Sequence, residues 1–245
     1  MNERFRIMYW GRCPICGHSV GRICDTEKEA EEEVRKHYKE KHWKEAEKIE
    51  LIKIGMLEKH TVDMHLIETD GFILDIGGGG EGIIGRLNGR QVVAIDPSSS
   101  ELEEAKNESL KVVMDATDLK FLPKTFNVAT SFFTLMFIEN SLHSKVFSEI
   151  HRVLKENGRF LLWDARIPKR VEDAIGFGIR LEIVLPSEKV ETSYGTKWEN
   201  KEQNIEYFKE LATRTGFEVV REEIKGEVFF LELMKQPSEA ASSVK

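Results

Sequence analysis

The sequence has few cysteines and no long apolar run. All three cysteines, Cys13, Cys16 and Cys24, lie near the amino terminus, unlike the spread, even-numbered framework of a disulfide-stapled secreted domain. The rest of the chain therefore has no cysteine nucleophile. No apolar run reaches the ~20 residues that a membrane-spanning helix needs, and the first residues lack the apolar segment of a signal peptide. We expect a cytoplasmic protein that does not enter a membrane.

The composition is typical of a globular protein. Six prolines among 245 residues, with 40% hydrophobic and 32% charged residues, exclude collagen-like, mucin-like and largely disordered chains. The formal net charge is −7, whereas a protein whose main task is non-specific phosphate binding needs an excess of clustered Lys and Arg. The length fits one large domain, or a medium domain with a small appendage.

The chain divides into four parts. Residues 1–42 hold the cysteines, and for residues 43–70 the sequence predicts a charged helical connector. Residues 71–235 form the main domain, and the sequence predicts a flexible tail at residues 236–245. In the main domain short apolar runs alternate with helical stretches, which predicts an α/β fold with a parallel sheet covered by helices. The predicted strands are Phe72–Ile76, Gln91–Ile95, Lys111–Met114, Val128–Phe133, Gly158–Asp164, Phe217–Ile224 and Val228–Met234. Residues 166–200 interrupt this alternation like a hairpin, so we interpret them as an insertion.

A glycine run directly follows the first of these strands. Gly77, Gly79 and Gly82 have the GxGxxG spacing of dinucleotide-binding folds. Asp96 ends the next strand about 20 residues further on, where a carboxylate can accept both ribose hydroxyls. The alternative without a ligand is a tight turn, with Asp96 as a helix N-cap.

The charge of this loop indicates which nucleotide it binds. A pyrophosphate would face Asp75 at the strand end and Glu81 at the helix start, although an anion needs bare N–H groups and a positive helix dipole. S-adenosylmethionine carries an ammonium and a sulfonium, so an acidic loop favours it over NAD or FAD. The main domain also leaves no second catalytic domain for a dehydrogenase.

Four segments in this order carry a more specific resemblance: ILDIGGGGEG, VVAIDPS, MDATDLKFLPKTFNVATS and EIHRVLKENGRFLLWD. Together they resemble class I S-adenosylmethionine-dependent methyltransferases, particularly the broad group similar to quinone-biosynthesis methyltransferases. The resemblance implies a Rossmann-like seven-stranded sheet with helices on both faces. It also implies a set of cofactor-binding residues: Asp75, Gly77, Gly78 and Gly79 at the methionine end, Asp96 followed by Pro97 at the ribose, and Asp115 with Ala116 at the adenine.

Two departures from the family pattern affect the site. Glu81 stands at the last glycine position of the family loop, and the segment TLMFIEN lacks the histidine that many relatives have there. No catalytic residue is carried over from the family. By position the candidates for a base are Asp164 and Trp163, with Tyr194 or His143 as outsiders. The SFFT segment also disfavours amino-methylating DNA enzymes, which have an Asp/Asn-Pro-Pro-Tyr/Phe segment there.

The amino-terminal part predicts a metal site. Cys13 and Cys16 form a CxxC knuckle, and His37 and His42 follow on a predicted helix. This arrangement resembles a Cys2His2 zinc finger with a small ββα-like module, and four ligands indicate a structural zinc ion. The spacing is longer than usual, so Cys24 or His18 could replace one histidine. Buried structural cysteines are the alternative without metal.

The expected activity is in-line methyl transfer from S-adenosylmethionine to an acceptor that the sequence leaves open. A small molecule or a protein is favoured over RNA, because residues 1–50 hold as many acidic as basic residues. In the family, a segment like residues 166–200 covers the acceptor pocket. A non-catalytic S-adenosylmethionine-binding protein, or a zinc-mediated interaction protein, is the alternative. The sequence leaves the oligomeric state open.

Overall fold

The structure, a computed structural model, describes residues 5–12, 19–42, 49–170, 173–199 and 201–237. The strands are β1 (Phe5–Arg12), β2 (Ser19–Cys24), β3 (Glu50–Asp63), β4 (Ile73–Ile76), β5 (Val92–Asp96), β6 (Leu110–Val113), β7 (Phe126–Phe132), β8 (Leu154–Ala165), β9 (Gly176–Val184), β10 (Lys189–Lys197), β11 (Phe217–Lys225) and β12 (Val228–Lys235). The α-helices are α1 (Glu27–His37), α2 (Ile83–Asn88), α3 (Ser99–Glu104), α4 (Asn140–Val153) and α5 (Ile205–Arg214).

The chain forms two compact units. The first unit comprises Met1–Thr61, Pro168–Glu182 and Glu191–Glu202, and the second comprises Val62–Ile167, Ile183–Val190 and Gln203–Lys245. Among the described residues, no helix is long and apolar enough to cross a membrane.

A seven-stranded sheet forms the centre of the second unit. Its strand order is β11-β12-β8-β7-β4-β5-β6. The strands from β8 to β6 pair in parallel, while β12 pairs antiparallel with β8 and with β11. Strands β4 and β5 consist of continuous buried apolar runs apart from their acidic residues, as expected for parallel strands covered on both faces. The α/β fold and its seven strands are as predicted.

Helices α4 and α5 cover this sheet with the apolar residues that recur at helical spacing. Val146, Phe147 and Ile150 of α4 and Phe208 and Leu211 of α5 are almost fully buried in the core of the unit. The rings of Phe147 and Phe208 are stacked with centroids 6.2 Å apart. Spacings of three and four residues place such side chains on one face of a helix, so both helices turn their apolar faces to the sheet.

The first unit contains a five-stranded sheet in the order β10-β9-β3-β1-β2. Strands β1 and β2 form an antiparallel pair, and β3 pairs antiparallel with the other edge of β1. Helix α1 begins after Thr26, whose hydroxyl accepts a hydrogen bond from the backbone N–H of Glu29. It approaches β1 so closely that a Cβ on Gly11 would lie 2.1 Å from Val34 Cγ2. The described residues of this segment thus follow the order ββα.

The prediction of a helical connector at residues 43–70 is wrong, because residues Glu50–Asp63 form strand β3. The charged residues there resemble the solvated face of a helix, but Ile52, Ile54 and Met56 alternate along the strand. Ile54 and Met56 are buried and cluster with Met8 of β1, and Ile52 packs against this cluster. Pairing with distant strands therefore overrides the local helical pattern.

The hairpin predicted at residues 166–200 is present as β9 and β10. It does not extend the seven-stranded sheet of the main domain. Instead β9 lies next to β3 in the five-stranded sheet. Residues 43–48 of the connector and residues 238–245 of the predicted tail lie outside the described residues.

Trp198, which follows β10, packs against β3 at Gly55. A Cβ on Gly55 would lie 2.1 Å from Trp198 Cζ3, and the indole is 1% exposed. We expect Gly55→Ala to lower the free energy of unfolding by about 1–3 kcal/mol, because the buried indole must shift. Gly195→Ala is the control, since its Cβ would meet only the Phe177 carbonyl oxygen at 3.5 Å. Equal losses in chemical denaturation would contradict this packing.

Candidate functional site

The glycine loop follows β4 and turns over the end of β5. The backbone N–H groups of Gly77 and Gly78 both donate to the carbonyl oxygen of Ile95, at 2.8 and 3.0 Å. Gly77 has a φ of 72°, and a Cβ on it would lie 2.3 Å from Thr134 Cγ2. Only glycine fits this position without strain.

The loop continues against helix α3. A Cβ on Gly79 would lie 2.5 Å from the Cβ of Glu101, and the N–H of Gly80 donates to the Glu101 carbonyl oxygen at 2.9 Å. Gly82 has a φ of 58° and directly precedes α2. The residue after Glu81 is thus a left-handed glycine at the start of the helix.

Asp75 lies beneath this loop and is only 2% exposed. The hydroxyl of Thr130, on the neighbouring strand β7, donates to Asp75 Oδ1 at 2.7 Å. Burial raises the pKa of Asp75 to about 7, the hydroxyl of Thr130 lowers it, and the charge of Asp96 raises it further. A buried carboxyl with a raised pKa is typical of a functional site.

Asp96 ends β5. Its Oδ1 accepts a hydrogen bond from the backbone N–H of Ser98 at 2.8 Å. Partial burial raises the pKa of Asp96, while the N–H groups of Ser98 and Gly79 lower it. The N-cap of α3 is Ser98, whose hydroxyl accepts from the N–H of Glu101. The alternative interpretation of Asp96 as the helix N-cap is therefore wrong.

Asp115 and Ala116 follow β6 on the edge of the sheet. Asp115 is exposed, and its Oδ1 accepts from the backbone N–H of Thr117 at 2.7 Å. Ala116 is buried, whereas Pro97, after Asp96, is exposed. Because β4, β5 and β6 are parallel neighbours, the predicted site residues lie at or just after the carboxyl ends of three adjacent strands.

Sequence reasoning missed three polar residues around the loop. Thr130 binds Asp75, and Thr134 donates to the Ile76 carbonyl oxygen at 3.0 Å. Glu101 lies near three other carboxylates, and burial together with Glu104, Asp96 and Glu81 raises its pKa. A signal for the threonines was present, because both interrupt or end the apolar run of β7.

Comparisons with known proteins agree with this geometry. A family model described as a methyltransferase domain matches residues 74–162. Residues 74–162 thus form part of an S-adenosylmethionine-dependent methyltransferase domain. A search of curated proteins finds no match.

Solved structures share the fold of the methyltransferase domain. A methyltransferase from Methanosarcina mazei is 18% identical with a TM-score of 0.53, and the match covers 72% of this chain and 100% of that one. A protein from Pyrococcus horikoshii OT3 is 19% identical with a TM-score of 0.52, over 69% of this chain and 84% of that one. At such identities the likeness shows the fold alone.

Two of the candidate bases of the methyltransferase domain are buried and already hydrogen-bonded. Asp164 is 0% exposed and accepts from the N–H of Met136 and from the side chain of Gln203. His143 is also 0% exposed, and its Nε2 donates to the Leu135 carbonyl oxygen. Trp163 stacks on Phe230 with centroids 4.7 Å apart. The roles of Asp164, His143 and Trp163 as a base stay predictions.

Tyr194, the other outsider among the candidates, lies in strand β10. That strand is part of the five-stranded sheet of the first unit at this position. The role of Tyr194 as a base stays a prediction.

Two of the predicted metal ligands lie within the described residues. Nε2 of His37 and Nε2 of His42 are 3.2 Å apart. Cys13, Cys16 and His18 lie outside the described residues, and Cys24 is buried. In the described part of the chain, no group of three or more His, Cys, Asp or Glu side chains is arranged to hold a metal.

The raised pKa of Asp75 predicts a pH-dependent stability. Its folded-state pKa of about 7 exceeds the ordinary 3.8. The protonated carboxyl therefore contributes fully to the free energy of unfolding below the unfolded pKa, and this contribution is lost as the pH rises through 7. Asp75→Asn stays neutral. Between roughly pH 5 and pH 8, we expect the free energy of unfolding of the wild type to fall by about 2–3 kcal/mol more than that of this variant.

Denaturant titrations at several pH values measure this difference. Glu103→Gln, which neutralises an exposed carboxylate, is the matched control and should follow the wild-type pH profile. A wild-type profile in Asp75→Asn would contradict the assignment of a raised pKa to this carboxyl.

Proposed function

We propose that S-adenosylmethionine binds along the carboxyl ends of β4, β5 and β6. Asp75 and Gly77–Gly79 hold the methionine end, Asp96 with Pro97 holds the ribose, and Asp115 with Ala116 holds the adenine. The observation that supports this proposal is the set of acidic residues following three adjacent parallel strands, together with the glycine loop. The carboxyl end of a parallel sheet is the usual ligand-binding edge of such folds.

The loop packs tightly on the strand ends and on a buried carboxylate. Gly78 has no room for a side chain, because a Cβ would lie 2.6 Å from Asp75 Oδ2 and 2.7 Å from the Ala94 Cβ. The carboxylates of Asp75, Asp96 and Glu101 all have raised pKa values. A cationic ligand stabilises such carboxylates, whereas a pyrophosphate adds negative charge beside them.

Bound S-adenosylmethionine supplies an electrophilic methyl group. The residues of the chain orient it and the acceptor, and proximity and orientation alone can contribute about 7–11 kcal/mol to catalysis. Asp164 and His143 are occupied by structural hydrogen bonds, so we assign neither of them to proton transfer. In-line transfer to an acceptor that enters as a nucleophile does not require a protein base.

The acceptor is proposed to be a small molecule or a protein, in preference to RNA. Two apolar residues with substantial exposure, Phe137 (49%) and Leu142 (40%), follow the carboxyl end of β7. An apolar surface at this edge suits an apolar acceptor, as the resemblance to quinone-biosynthesis methyltransferases implies. The role of residues 166–200 as an acceptor lid stays a prediction.

Calorimetry tests the cofactor site. We expect S-adenosylmethionine and S-adenosylhomocysteine to bind and NAD not to bind. Asp96→Ala should weaken both adenosyl ligands, because each lost hydrogen bond to a charged acceptor contributes about 1.5–3 kcal/mol. Asp118→Ala is the matched control, since Asp118 is exposed and pairs with Lys120. NAD binding, or an unchanged affinity of Asp96→Ala, would contradict the proposal.

We also propose that a zinc ion binds Cys13, Cys16, His37 and His42. A tetrahedral zinc ion with Zn–N bonds of about 2.0–2.1 Å holds two nitrogens about 3.3 Å apart, and the two Nε2 atoms are 3.2 Å apart. A π-helical turn, Tyr38–His42, follows α1. Its wider spacing brings residues five apart to the same side, where an ordinary α-helix would separate them.

Metal analysis tests the zinc site. Protein purified without chelator should contain one zinc ion, and Cys13→Ser with Cys16→Ser should release it and loosen β1, β2 and α1, since such binding energy is largely folding energy. S-adenosylhomocysteine binding should persist, because the methyltransferase domain has its own core. Absence of zinc would reject the site. Zinc retained after His37→Ala with His42→Ala would point to Cys24 or His18 instead.

A further inference from the structure

The turn that follows β7 is held in a strained conformation. Leu135–Phe137 form a single 3-10 turn, and Phe133 just before it has a φ of 52° and is 1% exposed. For a bulky residue this backbone conformation costs on the order of 1–3 kcal/mol and persists only where surrounding contacts impose it. Such strain is concentrated at functional sites.

On one side the turn contacts the glycine loop. The hydroxyl of Thr134 donates to the Ile76 carbonyl oxygen at 3.0 Å, and also approaches the Phe132 carbonyl oxygen at 3.3 Å. The Thr134 side chain occupies the space that a Cβ on Gly77 would need. A displacement of the turn would therefore displace the first residues of the loop.

On the other side the turn rests on two buried polar side chains. Asp164 Oδ2 accepts from the N–H of Met136 at 3.2 Å, while Oδ1 accepts from the N–H of Ala165 at 2.7 Å and from Gln203 Nε2 at 2.8 Å. His143 Nε2 donates to the Leu135 carbonyl oxygen at 3.0 Å. Nδ1 of the neutral ring can then accept from the Tyr207 hydroxyl, also at 3.0 Å.

Both side chains carry a desolvation cost that apolar residues would avoid. Asp164 and His143 are 0% exposed, and burial raises the pKa of Asp164 to about 7 although four N–H donors lower it. An apolar residue in place of either side chain would leave a buried backbone group without its partner, the N–H of Met136 or the carbonyl oxygen of Leu135. Both side chains therefore fix the backbone of the turn.

We propose that Asp164 and His143 are positioning residues that act through the turn after β7 to hold the glycine loop in its cofactor-binding conformation. The proposal rests on the proposed cofactor site. Neither side chain touches the cofactor: Asp164 fixes the N–H of Met136, His143 fixes the carbonyl of Leu135, and Thr134 transmits this geometry to Ile76 and Gly77. The loop is thereby preformed before the ligand arrives, which reduces the ordering cost of binding.

The test measures S-adenosylhomocysteine affinity by calorimetry beside thermal stability. Asp164→Asn keeps the shape, but its amide must face one of the N–H donors, so we expect the dissociation constant to rise about tenfold. Thr134→Val, which loses only the hydroxyl, should weaken binding similarly. The double variant, Asp164→Asn with Thr134→Val, should bind S-adenosylhomocysteine about as tightly as the single variant that binds it less tightly. The reason is that both changes break the same path.

Lys235→Met is the matched control for stability. Lys235 is 5% exposed and donates to the carbonyl oxygens of His151 and Leu154, and Leu154 begins β8, at the opposite end of that strand from Asp164. We expect it to lower the melting temperature but to leave the affinity unchanged. His143→Gln, which can still donate to the Leu135 carbonyl oxygen, should bind more tightly than His143→Leu.

A purely structural role makes the opposite prediction. In that case Asp164→Asn and Lys235→Met both lower the melting temperature without changing the affinity, or the effects of Asp164→Asn and Thr134→Val simply add, and either result overturns the proposal. If Asp164→Asn does not fold, equal affinities of His143→Gln and His143→Leu overturn it. If Asp96→Ala also leaves S-adenosylhomocysteine binding unchanged, the cofactor site itself is wrong and both proposals fail.

Discussion

The parallel pairing of β4 with β5 on one side and β7 on the other is the constraint on which the candidate site depends. In this register Asp75 lies opposite Ala94 and Thr130, and Ile76 lies opposite Ile95 and Ser131. Thr130 can therefore reach the buried carboxyl, and the Ile95 carbonyl oxygen can accept from the loop that leaves β4. A shift of one residue would turn Asp75 to the other face of the sheet.

The same pairing concentrates negative charge near the glycine loop. Among the groups that shift the pKa values of Asp75, Asp96 and Glu101, none is a basic residue. Asp75, Asp96 and Glu101 all become harder to ionise in the folded protein. This arrangement destabilises the ligand-free domain at neutral pH, and the cationic ligand proposed above would relieve it. Stability and the proposed ligand binding thus make opposite demands on Asp75, a trade-off that is common at functional sites.

The second unit was predictable from sequence because its signals are local. Its central strands β4, β5 and β7 are mostly apolar runs, and the glycine loop directly follows one of them, so strand ends and site residues could be assigned together. Strand β3 was not predictable in this way. Its partners are β1 and β9, and the charged residues Lys53, Glu58 and Lys59 obscure the alternation of Ile52, Ile54 and Met56.

The supporting contacts of the site could not be predicted for a related reason. Thr134, His143 and Asp164 surround the same turn only because β7 and β8 are neighbours and α4 packs over them. Nothing in the local sequence indicates that these residues lie close together. As isolated residues, Asp164 near the end of β8 and His143 in α4 looked like candidate bases. Their burial and their hydrogen bonds to backbone groups support the positioning role proposed for them.

In the first unit, distant segments of the chain complete one sheet. Strand β3 pairs with β1, which precedes it closely, and lies next to β9, which follows only after most of the second unit has been synthesised. Until β9 pairs, one edge of β3 stays open, and non-local pairing of this kind is slow. The segment β1-β2-α1 has a small core built around Val34 and Tyr38. Because so small a core stabilises little by itself, the stability of this segment depends on its pairing with β3.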